Sequence, residues 1–292
     1  MNPAPSFTSA AAVWRNLNHT DRLTFAYNLV VAGLIVAFAH RIPAWHALIL
    51  PNLAMLAFLW FFISRVGSDA RAVWRSLRAL YPVFFIWAAY AQTGAMNHIL
   101  CPGFHDDCLR DLDRALFGCE PAVDFARAFP QAMIAEIMHA IYFSYYLLFP
   151  GLALLLHLRR TPRVLDDYFS TLCGAFYFCC LVFVLFPATG PVDLKPAPPP
   201  GAVFPGVMEF IYRWFELPGG AFPSSHVAVA VVVLVYALKY APRWAVLYLP
   251  ACLGILPATV YCSYHYAVDV IAGVAVALGA LAVARWSRAG MA

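Results

Sequence analysis

Charged side chains are scarce in this sequence. Only 12% of the 292 residues are Asp, Glu, Lys or Arg, whereas 63% are hydrophobic and 16% are aromatic. A soluble globular domain has about a quarter charged and about half apolar residues, so the composition excludes that class. The formal net charge of +4 is small, and its positive residues gather on the short connections, which indicates membrane topology rather than nucleic-acid binding. We therefore expect an integral membrane protein with no nucleic-acid partner.

The sequence also has no internal repeat and no low-complexity domain. A cleaved signal peptide has a charged segment, then an apolar segment, then small residues. Residues 1–22 do not show this pattern, so we expect the first span to be retained. About eight apolar stretches approach the roughly 20 residues that a helix needs to cross a bilayer. These predicted spans cover 24–40, 45–65, 77–95, 131–157, 165–187, 224–240, 244–262 and 266–285. The predicted fold class is all-α, a polytopic membrane helix bundle.

Positive charge along the connections predicts how the bundle is oriented. Lysine and arginine are concentrated in the short connections, which the positive-inside rule places in the cytoplasm together with both termini. The two long connections, 96–130 and 188–223, then lie on the outer face, and long ordered loops often carry function. We expect a protein of the cell inner membrane whose site is on the periplasmic, outer face.

A polar stretch, Pro223-Ser224-Ser225-His226, opens one of the most apolar spans. Pro223 suits the first turn of a helix, and Ser224 or Ser225 can cap its free backbone donors. The N–H groups and the positive dipole end at such a terminus favour phosphate. Alone, the stretch is more typical of a capped helix with an incidental histidine than of an active site.

A second histidine changes this interpretation. Asp269 follows His265 by four residues, on the same helix face, in an otherwise uncharged span. An intramembrane carboxylate is a functional candidate, and it can fix the histidine tautomer and stabilise an imidazolium. His226 and His265 both fall at outer span ends, which indicates a nucleophile, an orienting group and a general acid for phosphoryl chemistry. A structural pair that locks the helix start is the alternative for His265 and Asp269.

The two histidine motifs resemble those of a known family. Pro223-Ser224-Ser225-His226 and His265-Tyr266-Ala267-Val268-Asp269 look like the second and third motifs of the type 2 phosphatidic acid phosphatase (PAP2) superfamily. The last motif, with the stretches 113–118 and 142–150, is similar to the branch that contains inositol phosphorylceramide synthases and sphingomyelin synthases. The resemblance covers about residues 96–286.

The resemblance implies an organisation and a mechanism. Membrane helices in 1–95 would precede a PAP2-like catalytic membrane domain in 96–292. His265 would attack the lipid phosphate to give a phosphohistidine while Asp269 orients it, and His226 would protonate the leaving group and then activate water or an alcohol. Backbone donors near Ser224 and Ser225 would hold the phosphate oxygens. This scheme needs no metal and no other cofactor.

The cations of the phosphatase-like members are missing. No Lys-x6-Arg-Pro motif occurs, and Thr259 stands where those members have an arginine six residues before the nucleophilic histidine. This departure favours the sphingolipid-type transferases. Our candidates for the phosphate-binding cations are Lys195 and Arg114. The other basic residues on that face are Arg110, Arg127 and Arg213.

The predicted function is that of an integral-membrane lipid phosphotransferase or phosphatase, acting on a phospholipid or a lipid phosphate. Transfer of a head group to an alcohol, as in inositol phosphorylceramide synthases, is slightly favoured. The first alternative is a simple lipid phosphate phosphatase with water as the acceptor. The second is a non-catalytic lipid transporter or binding protein of the same fold, although such a protein would have no chemical need for all of His226, His265 and Asp269.

Three further patterns lead to predictions. Residues spaced like zinc ligands lie in the first long connection: His98, Cys101, His105 and Cys108. On an oxidising face, a Cys101 to Cys108 disulfide is favoured over zinc, with Cys119 as an alternative partner. Glu136 and His139 are three residues apart in the fourth span, where they could pair as structural or substrate-pathway groups. Residues 206–217 form an amphipathic segment for the membrane interface, with Glu209, Arg213 and Glu216 as its polar residues.

Overall fold

The computed structural model describes residues 14, 16–66, 71–159, 161–197 and 202–289. These residues form helices and connecting loops, and their one strand-like pairing is an isolated bridge between Ala188 and Gly220. The predicted all-α fold is therefore confirmed. The helices are α1 (His19–Ala37), α2 (Trp45–Arg65), α3 (Ala72–Leu80), α4 (Pro82–Met96), α5 (Asp106–Phe117), α6 (Pro121–Ala128), α7 (Ala132–Leu158), α8 (Pro162–Leu185), α9 (Val203–Phe215), α10 (Ser225–Tyr240), α11 (Ala245–Tyr261) and α12 (Ala267–Ala289).

Each predicted span contains an apolar helix, but the helices differ in length. Six of them, α1, α2, α7, α8, α11 and α12, are long and apolar enough to cross a membrane, whereas α10 is apolar and shorter. The third predicted span is divided at Tyr81 into α3 and α4, because Pro82 begins a new helix and has no N–H to continue the previous one. Large apolar side chains on the outside of the bundle, such as Val246 and Trp286, are more than three-quarters exposed, as expected of a surface that faces lipid.

Helix α8 lies at the centre of the bundle. Tyr168 and Phe183 on this helix are completely buried, and the Tyr168 hydroxyl donates to the Phe149 carbonyl of α7 at 2.8 Å. The first helix packs directly on α8, where Tyr27 stacks on Tyr177 with ring centroids 4.2 Å apart. The N-terminal helices therefore share a core with the rest of the bundle, and the division at residue 95 stays a prediction.

One end of the bundle, which we name the loop face, is formed by residues 97–131, 186–197, 202–224 and 262–266; residues 198–201 of the proline-rich connection lie outside the described residues. Three short helices, α5, α6 and α9, lie on this end. Helix α5 ends at Gly118, which has a φ of 70°. Such a left-handed conformation favours glycine, which has no Cβ. Helices α10 and α12 both begin at the loop face.

Candidate active site

The two histidines face one cavity at the loop face. His226 is the second residue of α10, and His265 lies in the loop that leads into α12. Their ring centroids are 5.6 Å apart. Both line a cavity of about 270 Å³ whose walls also include Ser225 and the glycine-rich segment before α10. The structure thus brings together two histidines that are 39 positions apart in the chain.

His265 is held by its Nδ1 atom. Nδ1 donates to the Ala221 carbonyl at 2.9 Å, and the Asp269 carboxylate lies 3.4 Å from the same nitrogen. Because both neighbours are acceptors, Nδ1 carries the hydrogen and Nε2 keeps its lone pair. Asp269 is itself completely buried, and its Oδ2 accepts the Tyr266 N–H at 2.8 Å. The imidazole therefore has the tautomer of a nitrogen nucleophile.

The starts of α10 and α12 are joined through the backbone. The Ser224 N–H donates to the Asp269 carbonyl at 3.0 Å, which ties the two histidine motifs together. The close approach depends on Gly273, where a Cβ would lie 2.5 Å from the Ser224 carbonyl oxygen. Glycine is required here because the two helices cross where no side chain fits.

Tyrosines surround His226. The Tyr142 hydroxyl lies 3.1 Å from Nε2 of His226, and the Tyr145 ring centroid is 4.3 Å from that of the histidine. Tyr142 also shares a hydrogen bond of 3.2 Å with the Tyr212 hydroxyl, and Tyr212 stacks on Tyr264 at 3.9 Å. Packing from α7 and α9 therefore fixes the orientation of His226, as a general acid or base requires.

The two predicted serines differ in what they face. Ser224 is completely buried, and its Oγ accepts the Val227 N–H at 3.3 Å, so the predicted helix cap is confirmed for this residue. Ser225 lines the cavity beside His226. Only Ser225 of the pair is in a position to face a ligand.

The cations predicted to bind phosphate do not line the cavity. Lys195 donates to the Tyr264 hydroxyl at 2.7 Å and lines a separate cavity of about 150 Å³, so it meets the two-histidine cavity only through Tyr264. Its burial lowers the pKa of the Lys195 ammonium. Arg114 is exposed on α5 and pairs with Glu120 at 3.0 Å and with Asp111 at 3.4 Å. No lysine or arginine belongs to the described residues that line the two-histidine cavity.

The family follows from the sequence of this region. The PAP2 superfamily is matched over residues 108–283, more than half of the chain, and the match includes His226, His265 and Asp269. The chain belongs to the PAP2 superfamily. Searches of curated proteins and of solved structures returned no match. PAP2 proteins are generally phosphatases and phosphotransferases that act on lipid phosphates.

Two aspartates of α5 hold backbone segments around the cavity in place, and sequence analysis did not predict this role. Asp113 is buried and accepts the N–H groups of Ala267 and Val268 at 2.9 Å each, so it caps α12 from outside the helix. Asp106 accepts the N–H groups of residues 189 and 190 at 2.9 and 2.8 Å, in the loop that forms one cavity wall. The two aspartates are seven residues apart and therefore lie on one face of α5, a spacing that is visible in the sequence.

A half-buried carboxylate, that of Glu216, also lines the PAP2 cavity. We predicted Glu216 on the polar side of an interfacial segment; the structure instead ends α9 at Phe215 and turns Glu216 inward. Glu216 accepts the Tyr90 hydroxyl and lies 3.4 Å from that of Tyr146. Its burial raises the pKa of the carboxyl group. Glu209 and Arg213, the other polar residues of the segment, are exposed as predicted.

The remaining histidine and cysteine predictions have different outcomes. Cys101 and Cys108 are free thiols, so the predicted disulfide is not formed. The reason is that Cys101 donates to the Leu185 carbonyl at 3.4 Å, whereas Cys108 is exposed on α5. The His105 ring stacks on Phe186, and the described residues contain no group of three or more side chains arranged for a metal.

Glu136 and His139 do not pair with each other. The Glu136 carboxylate accepts the N–H groups of Val203 and Phe204 and thus caps α9. His139 instead uses its Nδ1 to donate to the Ala135 carbonyl at 2.8 Å. Glu136 has a structural role, because it anchors α9, the helix that precedes Glu216.

Proposed function

We propose that this PAP2 protein is a lipid phosphotransferase that works through a phosphohistidine. The observation that carries the proposal is the pair of histidines on one cavity. His265 presents a lone pair on Nε2 because its Nδ1 donates to Ala221 beside Asp269, and His226 lies opposite. A two-step transfer needs a nucleophile, a carboxylate that orients it and a second group that carries the proton.

The steps follow from these positions. Nε2 of His265 forms a bond to phosphorus, and the phosphorus–oxygen bond to the leaving alcohol breaks as His226 gives that oxygen a proton. His226 then takes the proton of the acceptor hydroxyl, whose oxygen attacks phosphorus and displaces His265. Asp269, 3.4 Å from Nδ1, balances the positive charge that the phosphorylated ring carries.

An apolar slot of about 50 Å³ lies beside the cavity, on the side from which a lipid tail would approach. The slot shares Tyr90, Glu216, Ser225 and His226 with the cavity and continues between α4, α7 and α9. Its other lining residues are mostly aromatic or aliphatic: Ile86, Trp87, Tyr145, Tyr146, Phe149, Phe176, Ile211 and Phe215. A lipid that approaches along this slot would present its phosphate to the histidines, with the loop face oriented away from the cytoplasm.

An alcohol is the acceptor that we favour, as in the inositol phosphorylceramide synthase branch. The described lining of the cavity offers neutral hydroxyl donors and no lysine or arginine. Such a lining suits a phosphate that remains esterified on one side better than it suits the dianion of a free phosphate. Hydrolysis, with water as the acceptor, is the alternative outcome of the test.

The test uses the purified chain in lipid vesicles with a phospholipid that is labelled in its head group. Thin-layer chromatography after incubation with lipid alcohols separates a new labelled lipid, the result of transfer, from water-soluble label, the result of hydrolysis. We expect His265→Ala and His226→Ala to lose turnover by at least about a thousandfold. His98→Ala, the same change at an exposed histidine of the loop face, is the matched control and should keep its turnover.

Near-normal turnover in either active-site variant would refute the assigned roles. A phosphoenzyme trapped from the wild type should be stable in alkali and labile in acid, as expected of a phosphorus–nitrogen bond. No label should be trapped on His265→Ala.

A further inference from the structure

Glu216 has no part in the two-histidine scheme. A carboxylate beside a phosphate site repels the ligand, and burying it costs free energy unless something in the fold or the reaction requires it. Glu216 nevertheless lines the cavity together with His226 and His265. Its contacts are to neutral groups, the hydroxyls of Tyr90 and Tyr146, and both donate to it. Burial raises the pKa of Glu216, whereas donation from the two hydroxyls and the nearby His265 imidazole favour its ionised form.

The cavity therefore holds the negative charge of Glu216, with Asp193 at its exposed rim, and no lysine or arginine is among its described lining residues to balance them. The groups that can donate to a phosphate are neutral, such as Ser225, Thr189 and Tyr264, together with the two histidines. A phosphodiester brings one negative charge into such a site. A phosphomonoester brings about 1.5 to 2 charges at pH 7, because its second ionisation has a pKa of about 6.

The size of the effect follows from the size of the cavity. A sphere of about 270 Å³ is about 8 Å across. One added charge at that distance from a carboxylate, with an effective dielectric constant of about 20, changes an equilibrium by about 30-fold. The carboxylate is thus close enough to discriminate between the two kinds of phosphate ester.

We propose that Glu216 determines specificity, and that it makes the site select a phosphodiester lipid against a phosphomonoester lipid. This inference rests on the proposed function. With a diester, Nε2 of His265 forms the P–N bond, the P–O bond to one alcohol breaks, and His226 supplies the proton. The second ester bond stays intact and its group leaves with phosphorus when the acceptor hydroxyl attacks.

The test compares kcat/KM for two lipids with the same acyl chains, a phospholipid with a neutral head group and the corresponding phosphatidate. Glu216→Gln removes the charge and keeps an oxygen that can accept from Tyr90. We expect the diester-to-monoester ratio to fall by about 30-fold, mainly through faster turnover of the monoester. Glu209→Gln makes the same change at an exposed position of α9, the helix that ends just before Glu216, and should leave the ratio unchanged.

A second variant keeps the test decisive if Glu216→Gln folds poorly. Asp193→Lys reverses a charge at the exposed rim of the same cavity and does not touch the tyrosines around Glu216. It should shift the ratio in the same direction, by less, because solvent screens an exposed charge. If Glu216 had only a structural role, Tyr90→Phe and Glu216→Gln would lower the rates for the diester and the monoester together.

The outcomes separate this inference from the proposed function. A ratio that stays within threefold of the wild type in Glu216→Gln, with both reactions still dependent on His265, would overturn the role of Glu216 and leave the transfer mechanism standing. Turnover that does not depend on His265 with either lipid would instead overturn the proposed function.

Discussion

Replacing Asp269 by asparagine measures how much of the reaction depends on its charge. The carboxylate lies 3.4 Å from Nδ1 of His265. The imidazole gains a positive charge when Nε2 bonds to phosphorus, so the attraction grows along the reaction. At 3.4 Å and an effective dielectric constant of about 20, Coulomb's law gives about 5 kcal/mol. At about 1.4 kcal/mol per factor of ten, Asp269→Asn should lower kcat by between about three and four powers of ten.

The contacts of Asp269 make this variant a clean perturbation. The Ala221 carbonyl still accepts from Nδ1 at 2.9 Å, so the tautomer of His265 is kept. The amide oxygen of asparagine can still accept the Tyr266 N–H, and the hydrogen bond from Ser224 uses the backbone carbonyl of residue 269. Because a buried charge is removed and these bonds remain, we expect the thermal unfolding midpoint in detergent to be no lower than that of the wild type.

The assay is a single-turnover measurement of phosphoenzyme formation, with Asp111→Asn as the control. Asp111 is an exposed aspartate on α5 that contacts only the charged group of Arg114 at 3.4 Å, and its variant should react like the wild type. A loss of less than tenfold in Asp269→Asn would refute the reasoning, since the Ala221 carbonyl alone would then be sufficient. A large loss with a lowered unfolding midpoint would assign Asp269 a structural role instead.

Three further variants test how the site is built. Asp113→Asn turns an N–H donor toward one of the two backbone N–H groups at the start of α12 that donate to Asp113. It should therefore destabilise the fold by about 1–3 kcal/mol, measured as a lower unfolding midpoint than that of Asp111→Asn. Gly273→Ala places a Cβ 2.5 Å from the Ser224 carbonyl oxygen, so it should lower the free energy of unfolding by about 1–3 kcal/mol and remove most of the activity. Gly279→Ala, which has open space around the added Cβ, should change neither. Lys195→Met should lower kcat/KM by less than about tenfold, because Tyr264 stands between Lys195 and the cavity; a loss above a hundredfold would mean that the ammonium group reaches the phosphate.

The sequence predicted the features that depend on local order. Apolar length located the six long apolar helices to within about five residues, because the bilayer sets that length. His226, His265 and Asp269 could be grouped because each lies at the start of a span, and the structure does bring these three side chains together.

Other parts of the site depend on packing between distant segments. Glu216 follows the last turn of α9, where the helical period no longer predicts which way a side chain points. Tyr142 lies on a long apolar helix whose inward face is set by its neighbours rather than by its composition. Lys195 was a reasonable cation by topology, but the ring of Tyr264 lies under its ammonium group at 4.4 Å and separates it from the histidines.

The surface helix α5 explains why the candidate site residues do not form a self-sufficient set. Asp106 fixes the loop at residues 189 and 190, which forms one wall of the cavity, and Asp113 fixes the start of α12, which carries Asp269. Both aspartates lie on one rigid helix, so the distance between that wall and the nucleophile is set by the seven residues that separate them. The PAP2 match begins at residue 108, inside this helix and before the first membrane helix of the matched region. In the proposed mechanism, a phosphate between His265 and this loop would therefore be positioned by α5, through the loop and the start of α12.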